Sequence, residues 1–317
     1  MSTAAVPLPP GLIASDEVAA ALADGRPVVA LESTIISHGL PRPRNLQAAR
    51  DFEGLLRDRS VTPATIAVLD GVPRIGLTGG EVRRIAEEDL VKASVRDLAV
   101  LAARRASGAT TVAATAYLAA RAGIRVFATG GLGGVHRGAS GTFDESADLS
   151  TLAAAPVAVV SAGVKSVLDI AGTLERLETL SVPVVGYRTD VFPSFWLAES
   201  PFRLDWRVDS PQEVADILRA QAAAAVPGLP RPGLVVANPV PIAEQWDPVE
   251  HDRVLAQALA AADEAGVRGK QVTPFLLSFI VQASGGVSLE VNLALARNNV
   301  RVAADIAVAL AASGAAG

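Results

Sequence analysis

The densest chemical signal in this chain is the stretch Ala128-Thr-Gly-Gly-Leu-Gly-Gly-Val-His-Arg-Gly-Ala-Ser-Gly-Thr-Phe-Asp-Glu-Ser-Ala-Asp-Leu149. Its glycines, Gly130, Gly131, Gly133, Gly134, Gly138 and Gly141, follow an apolar segment that reads as a strand. Glycine lets backbone amides approach a ligand closely and form an anion nest. His136, Arg137, Ser140 and Thr142 add polar groups. The stretch is not a dinucleotide fingerprint, because counted from Gly131 the third glycine is replaced by His136. It is not a Walker A loop either, for it has no Gly-Lys-Ser/Thr. A flexible surface loop is the bland alternative; a position at the end of a strand, where α/β sheets bind ligands, favours a site.

The same stretch ends in Asp144, Glu145 and Asp148, which could hold Mg²⁺ or Mn²⁺ through oxygens and water, or simply be solvated acids near a helix start. Lys165 follows a second apolar run and the turn Ser161-Ala-Gly163, where a helix is expected to begin. The positive end of a helix and an apolar setting both lower a lysine pKa and free its amine as a nucleophile. A phosphate-binding or snorkelling lysine fits the same position. The other lysines are Lys92 and Lys270; arginine carries the rest of the positive charge. Lys92, beside Ser94 and Arg96, reads as an anion ligand, and Lys270 as a turn residue.

Glu32 ends the apolar run Val28–Leu31. A half-buried carboxyl there would have a raised pKa and could act as a general acid or base, or it could cap a helix or pair with a cation. Asn292 interrupts the apolar pattern Leu289–Leu295; its amide needs partners, either backbone or the edge of a base.

Composition limits the remaining chemistry. With no cysteine there is no disulfide, thiolate nucleophile or Cys-ligated metal. Histidine catalysis has three candidates, His38, His136 and His251. A net charge of −5 argues against nucleic acid as the main partner. Mean hydropathy is high, +0.36, yet apolar runs such as Leu152–Val164 and 306–312 are shorter than the ~20 residues a membrane span needs. Met1–Gly11 has no basic residue and is no signal peptide, so a cytoplasmic protein with no membrane partner is expected. The excess apolar content suggests an oligomer interface.

Strands are expected at Pro27–Leu31, Thr65–Leu69, Arg74–Gly76, Ile124–Ala128, Val157–Val160, Pro183–Gly186 and Gly233–Ala237, with an Asp70-Gly71 hairpin joining the second and third. Helices are expected at Val18–Ala23, Asn45–Arg57, Thr110–Ala122, Val164–Leu180, His251–Ala265, Pro274–Ser284 and Leu289–Ala312. Residues 190–232 read as an insertion or a lid. The alternation predicts an α/β fold, three α/β/α layers around a mixed, largely parallel sheet, with residues 1–14 a loose tail and 15–317 a single domain.

Taken together, these segments resemble the pseudouridine-5′-phosphate glycosidase family, which includes the indigoidine synthase A-like proteins. The resemblance runs through Leu31-Glu-Ser-Thr-Ile-Ile-Ser-His-Gly39, Gly71–Gly80, Gly108–Thr115, Phe127–Gly138, Ser146-Ala-Asp-Leu149, Ser161-Ala-Gly-Val-Lys-Ser166, Val185-Gly-Tyr187 and Thr273-Pro-Phe-Leu-Leu277. It implies cleavage of the C–C glycosidic bond of pseudouridine 5′-phosphate to uracil and ribose 5-phosphate through a lysine imine. By that resemblance Lys165 is the nucleophile, Glu32 the proton donor and Asp144 the ligand of one Mn²⁺ per subunit. Lys92, Val112, His136, Ser146, Ala147, Asp148 and Asn292 then contact the substrate, and the assembly is a homotrimer. A sugar-phosphate lyase or aldolase with related imine chemistry, and a non-catalytic nucleotide-binding protein, are the alternatives.

Overall fold

A computed structural model describes residues 9–269 and 272–312. Lys270, expected in a turn, lies outside the described residues.

The chain forms an eleven-stranded sheet. Its strands are β1 (Ile13–Ala14), β2 (Val28–Leu31), β3 (Thr62–Leu69), β4 (Val72–Ile75), β5 (Val91–Ala93), β6 (Gly108–Thr110), β7 (Val126–Ala128), β8 (Ala158–Ser161), β9 (Val184–Tyr187), β10 (Arg207–Val208) and β11 (Leu234–Ala237). The main path runs β1-β4-β3-β2-β7-β8-β11-β9-β10, with β6 on β3 and β5 on β6. Among the named strands of the described residues, only the β3–β4 and β3–β6 pairs are antiparallel, so the sheet is mixed and largely parallel, as expected. Strands β2, β3, β8 and β11 are buried along their whole length. Such two-sided burial explains why they read as continuous Val/Ala/Leu runs instead of alternating ones.

Between the strands run α1 (Asp16–Ala23), α2 (Arg44–Arg57), α3 (Gly79–Glu87), α4 (Leu98–Arg104), α5 (Val112–Arg121), α6 (Ala139–Thr142), α7 (Ala147–Leu152), α8 (Ile170–Thr179), α9 (Pro211–Ala223), α10 (Pro248–Glu264), α11 (Val272–Ala283) and α12 (Val287–Ala312). Helix α12 packs on β2, β7 and β8 and is flanked by α2 and α9. That position explains why it buries residues around much of its circumference. Helix α5 packs on β2, β3, β4 and β6 and against α7. Helices thus cover both sides of the sheet. Among the described residues no single helix is long and apolar enough to cross a membrane.

Several expectations need correction. Ile13–Ala14 form a strand parallel to β4, so the loose tail does not extend to residue 14. Thr110 closes β6, and α5 starts only after Thr111, whose side chain caps it. The Val164–Leu180 helix shrinks to α8, capped by Asp169. Val164, Val167 and Leu168 are buried, but in a turn; their helical spacing reflects burial alone. Residues 190–232 carry regular structure and part of the core. Phe192, Phe195 and Trp196 are buried, and the stretch includes β10 and α9.

Candidate active site

Four neighbouring strands end at one place. Glu32 follows β2, Thr129 follows β7, Ser161 ends β8 and Asn238 follows β11. The parallel registers Leu31↔Ala128, Ala128↔Val160 and Ala237↔Ser161 bring these ends level. Carboxyl ends of parallel strands are where open sheets gather reactive groups.

Glu32 is 9 % exposed. The Thr129 hydroxyl donates to its Oε1. Burial raises the Glu32 pKa, Asp148 adds to that, and Lys165, Thr129 and Lys92 oppose it, so the carboxyl stands above the usual range. The next residue, Ser33, anchors this strand end: its hydroxyl donates 2.7 Å to the Ile66 carbonyl and accepts 2.8 Å from the Thr110 amide.

Lys165 is half-buried, and its Nζ donates to the Gly131 carbonyl at 2.8 Å. It does not begin a helix, because α8 starts at Ile170. Its position comes from a strand-like extension: Leu132 N bonds Gly163 O at 2.9 Å and Lys165 N bonds Leu132 O at 3.2 Å. Gly163 is required there, since its φ is +81° and a Cβ would lie 2.3 Å from the Pro193 carbonyl.

Lys92 is on β5, partly open to solvent. Burial and then Lys165 push its amine down, while Glu32 and Asp148 pull it up. Glu32, Asp148 and Lys165 all bond to the stretch Thr129–Gly133, through the Thr129 hydroxyl, the Gly133 amide and the Gly131 carbonyl. His38 lies nearby, with Nε2 3.0 Å from the Leu90 carbonyl; burial and Lys92 hold it below the usual imidazole range.

Asp148 has a second task. Its Oδ1 accepts from Ala113 N at 2.9 Å and its Oδ2 from Gly133 N at 2.8 Å. It thereby ties the glycine loop to the first turn of α5, where Val112 is the first residue. Ser146 caps α7 and accepts from Asp148 N at 3.2 Å, and Ala147 begins that helix on the exposed side. Gly133 is obligatory: a Cβ there would meet Ser146 Oγ at 2.3 Å and Asp148 Oδ2 at 2.8 Å.

Part of the glycine loop is committed to bonds within the protein. The amides of Leu132, Gly133, Val135 and His136 bond to Gly163, Asp148, Thr173 and Asp144. Its largely buried segment Thr129–Val135 serves as a frame.

The three carboxylates at its end do not converge. Glu145 pairs with Arg176 at 2.9 Å, Asp148 faces backbone amides, and Asp144 lies 3.8 Å from His136 Nδ1. Among the described residues no group of three or more His, Asp or Glu is placed to hold a metal. Asp144, partly exposed and without a cationic Arg or Lys partner among the described residues, is the carboxylate available to an ion that keeps most of its water.

Asn292 is half-buried on α12, and its Oδ1 accepts from Trp196 Nε1 at 2.8 Å. Trp196 packs edge-on against Phe195, Trp246 and His251. His251 is buried in that cluster with its pKa lowered, first by burial. Thr129 and Asn299 escaped the sequence reading. Asn299 is buried on α12 and donates to the carbonyls of Thr129 and Gly130.

The sequence profile of the family described as "Indigoidine synthase A like protein" matches residues 17–309. A Frankia alni protein named pseudouridine-5′-phosphate glycosidase is 61 % identical over 302 residues, covering 95 % of this chain and 82 % of that one. A Saccharopolyspora erythraea protein of the same name is 59 % identical over 300 residues, covering 94 % and 98 %. A solved prealnumycin C-glycosynthase in complex with ribulose 5-phosphate superposes with a TM-score of 0.88 at 37 % identity, covering 98 % of this chain and 100 % of that one. An indigoidine synthase A-like protein from Thermotoga maritima gives 0.85 at 35 % identity, covering 96 % and 99 %.

Proposed function

This chain belongs to the indigoidine synthase A-like family, and from that premise we propose that it is a pseudouridine-5′-phosphate glycosidase. It cleaves the C–C glycosidic bond of pseudouridine 5′-phosphate, reversibly, to uracil and ribose 5-phosphate. The observation that carries the reading is that a buried carboxyl, Glu32, and the Lys165 amine both bond to the turn Thr129-Gly130-Gly131 after β7, Glu32 through the Thr129 hydroxyl and Lys165 through the Gly131 carbonyl.

A C-nucleoside has no heteroatom leaving group on C1′, so the sugar must be opened first. Glu32 in its protonated form delivers a proton to O4′ as the C1′–O4′ bond breaks. Lys165 Nζ then bonds C1′, and the proton the nitrogen sheds passes to the Glu32 carboxylate left by the first step. When the C1′–C5 bond breaks, its electron pair stays on the base carbon, which takes the proton back from Glu32, and the electron pair on nitrogen closes the C1′=N imine. Water hydrolyses the imine, releasing ribose 5-phosphate and the free amine. Burial raises the Glu32 pKa, which suits an acid working near neutral pH. Lys92 supplies positive charge for the substrate's anionic end, with Val112, His136, Ser146, Ala147, Asp148 and Asn292 as further substrate contacts.

Asp144 is the residue that would hold one Mn²⁺ per subunit, with water completing its shell. When bound, the ion supplies positive charge that orders polar oxygens of the substrate. We also read the chain as a cytoplasmic single domain that takes in the Ile13–Ala14 strand, assembled as a homotrimer. Exposed Phe143, Trp206, Ile242 and Val249 are side chains of the kind a subunit interface buries.

The test is uracil release from pseudouridine 5′-phosphate with Mn²⁺, against pseudouridine and uridine 5′-phosphate as controls. Release from the first alone is expected. No release, with no condensation of uracil and ribose 5-phosphate in the opposite direction, would remove the reading.

A further inference from the structure

The tripeptide Thr129-Gly130-Gly131 touches both reactive side chains. Thr129 donates to Glu32, and the Gly131 carbonyl accepts from Lys165 Nζ at 2.8 Å. The tripeptide lies just past β7. On one side it is paired: Thr129 N bonds Val160 O, and Ala162 N bonds Gly130 O, each at 3.0 Å.

The carbonyls of Thr129 and Gly130 also meet a side chain, Asn299 of α12. Its Nδ2 donates to Thr129 O at 2.8 Å and to Gly130 O at 3.2 Å. Its Oδ1 accepts from Asn238 Nδ2 at 2.8 Å. Asn238 is itself anchored past β11, its amide bonding Ser161 O at 2.8 Å. Carbonyls only accept, so the two on the tripeptide fix which end of the Asn299 amide faces them. Both amide hydrogens and the oxygen of Asn299 are therefore engaged. Asn299 is fully buried, and its helix neighbours Ala296, Val300 and Ala303 are buried too. An amide is an expensive way to fill such a place, where an aliphatic side chain would pack without needing partners.

We propose that Asn299, held by Asn238, is a positioning residue that clamps the Thr129 and Gly130 carbonyls and so sets the reach of Thr129 to Glu32 and of Gly131 to Lys165. This rests on reading Glu32 and Lys165 as the reacting pair. The Thr129 hydroxyl favours the charged form of Glu32, as do Lys165 and Lys92, while Asp148 opposes it. Loosening the clamp weakens the Thr129 donation and moves the Glu32 titration upward.

The test follows the Glu32 carboxyl by ¹³C NMR in the full chain, its signal assigned by its loss in Glu32→Gln. Asn299→Ala is expected to raise the midpoint, and to lower kcat by about tenfold with KM nearly unchanged, the scale of a sub-ångström misplacement. In a Thr129→Val background Asn299→Ala should move the midpoint no further. An unchanged midpoint in folded Asn299→Ala, or an equal extra shift in the Thr129→Val background, would overturn the clamp. Should Asn299→Ala fail to fold, Asn238→Ala, which keeps Asn299 but loses its anchor, must raise the midpoint in the same direction; no rise overturns the proposal. The titration does not depend on turnover. A wild-type chain that releases no uracil yet shows these shifts loses the proposed reaction and keeps the clamp.

Discussion

Thr129 gives its hydroxyl to Glu32 across the β2–β7 pair, where Leu31 and Ala128 lie side by side in register. The bond favours the ionised carboxyl, yet burial outweighs it and the net pKa is raised. A carboxyl whose folded pKa exceeds its unfolded value binds its proton more tightly in the folded state. The fold therefore loses stability as pH rises from the ordinary carboxyl range through the raised value. Glu32→Gln removes that cost while keeping shape and an acceptor for Thr129. Thermal unfolding should give a higher Tm for the variant, with a larger gain at pH 8 than at pH 5. Turnover should drop by at least ~10²-fold, the lower bound for losing a general acid. Near-normal turnover would remove Glu32 from the chemistry.

Lys165 offers a cleaner separation of charge from nucleophilicity. Lys165→Arg keeps the cation that opposes the raised Glu32 pKa but cannot form an imine. Borohydride with ribose 5-phosphate should label wild type at Lys165 and leave Lys165→Arg unlabelled, as read by peptide mass. Turnover should fall by about a thousandfold or more, as when a covalent nucleophile is lost. Labelling at Lys92 instead would move the imine to that residue.

These two residues were legible because each follows an apolar run that could only be a buried strand, and a charged group there needs a reason. Other parts were legible in type but not in task. The glycine loop was evident, but composition could not show that its amides would bond to Asp148, Thr173 and Asp144. The Lys165 turn passed for a helix because Val164, Val167 and Leu168 are all buried, and burial at that spacing mimics a helical stripe. The Ser210–Glu213 capping box with Pro211 marks α9 locally, but the surrounding prolines and tryptophans hid it. Thr129 and Asn299 were beyond reach, since their roles depend on α12 crossing β7, a contact between positions 170 apart in sequence.

Asp148 and Gly133 are coupled through space. Asp148→Asn replaces one acceptor with a donor facing the amide of Ala113 or of Gly133. Chemical denaturation should show a loss of about 1–3 kcal/mol, the cost of a buried amide left unpaired. Gly133→Ala drives a Cβ into Ser146 and Asp148 and should cost a similar ~1–3 kcal/mol through overpacking. Because both changes break the same contact, the double variant should lose less than the sum. Strict additivity in a double-mutant cycle would show that the loop and Asp148 act independently.

Asp144 lies on the same loop but outside that contact, 3.8 Å from His136 Nδ1. Asp144→Asn should therefore leave Tm unchanged while lowering turnover about a hundredfold, the upper range for disturbing a metal site's supporting groups. Chelation of wild type should produce the same split, with activity lost, Tm retained and activity restored by Mn²⁺. The variant should need far more Mn²⁺ for half-maximal rate, because the carboxylate charge that attracts the ion is gone. Full activity of the wild type in EDTA would dismiss the metal, and an Asp144→Asn enzyme with wild-type Mn²⁺ demand would move the ion to other ligands.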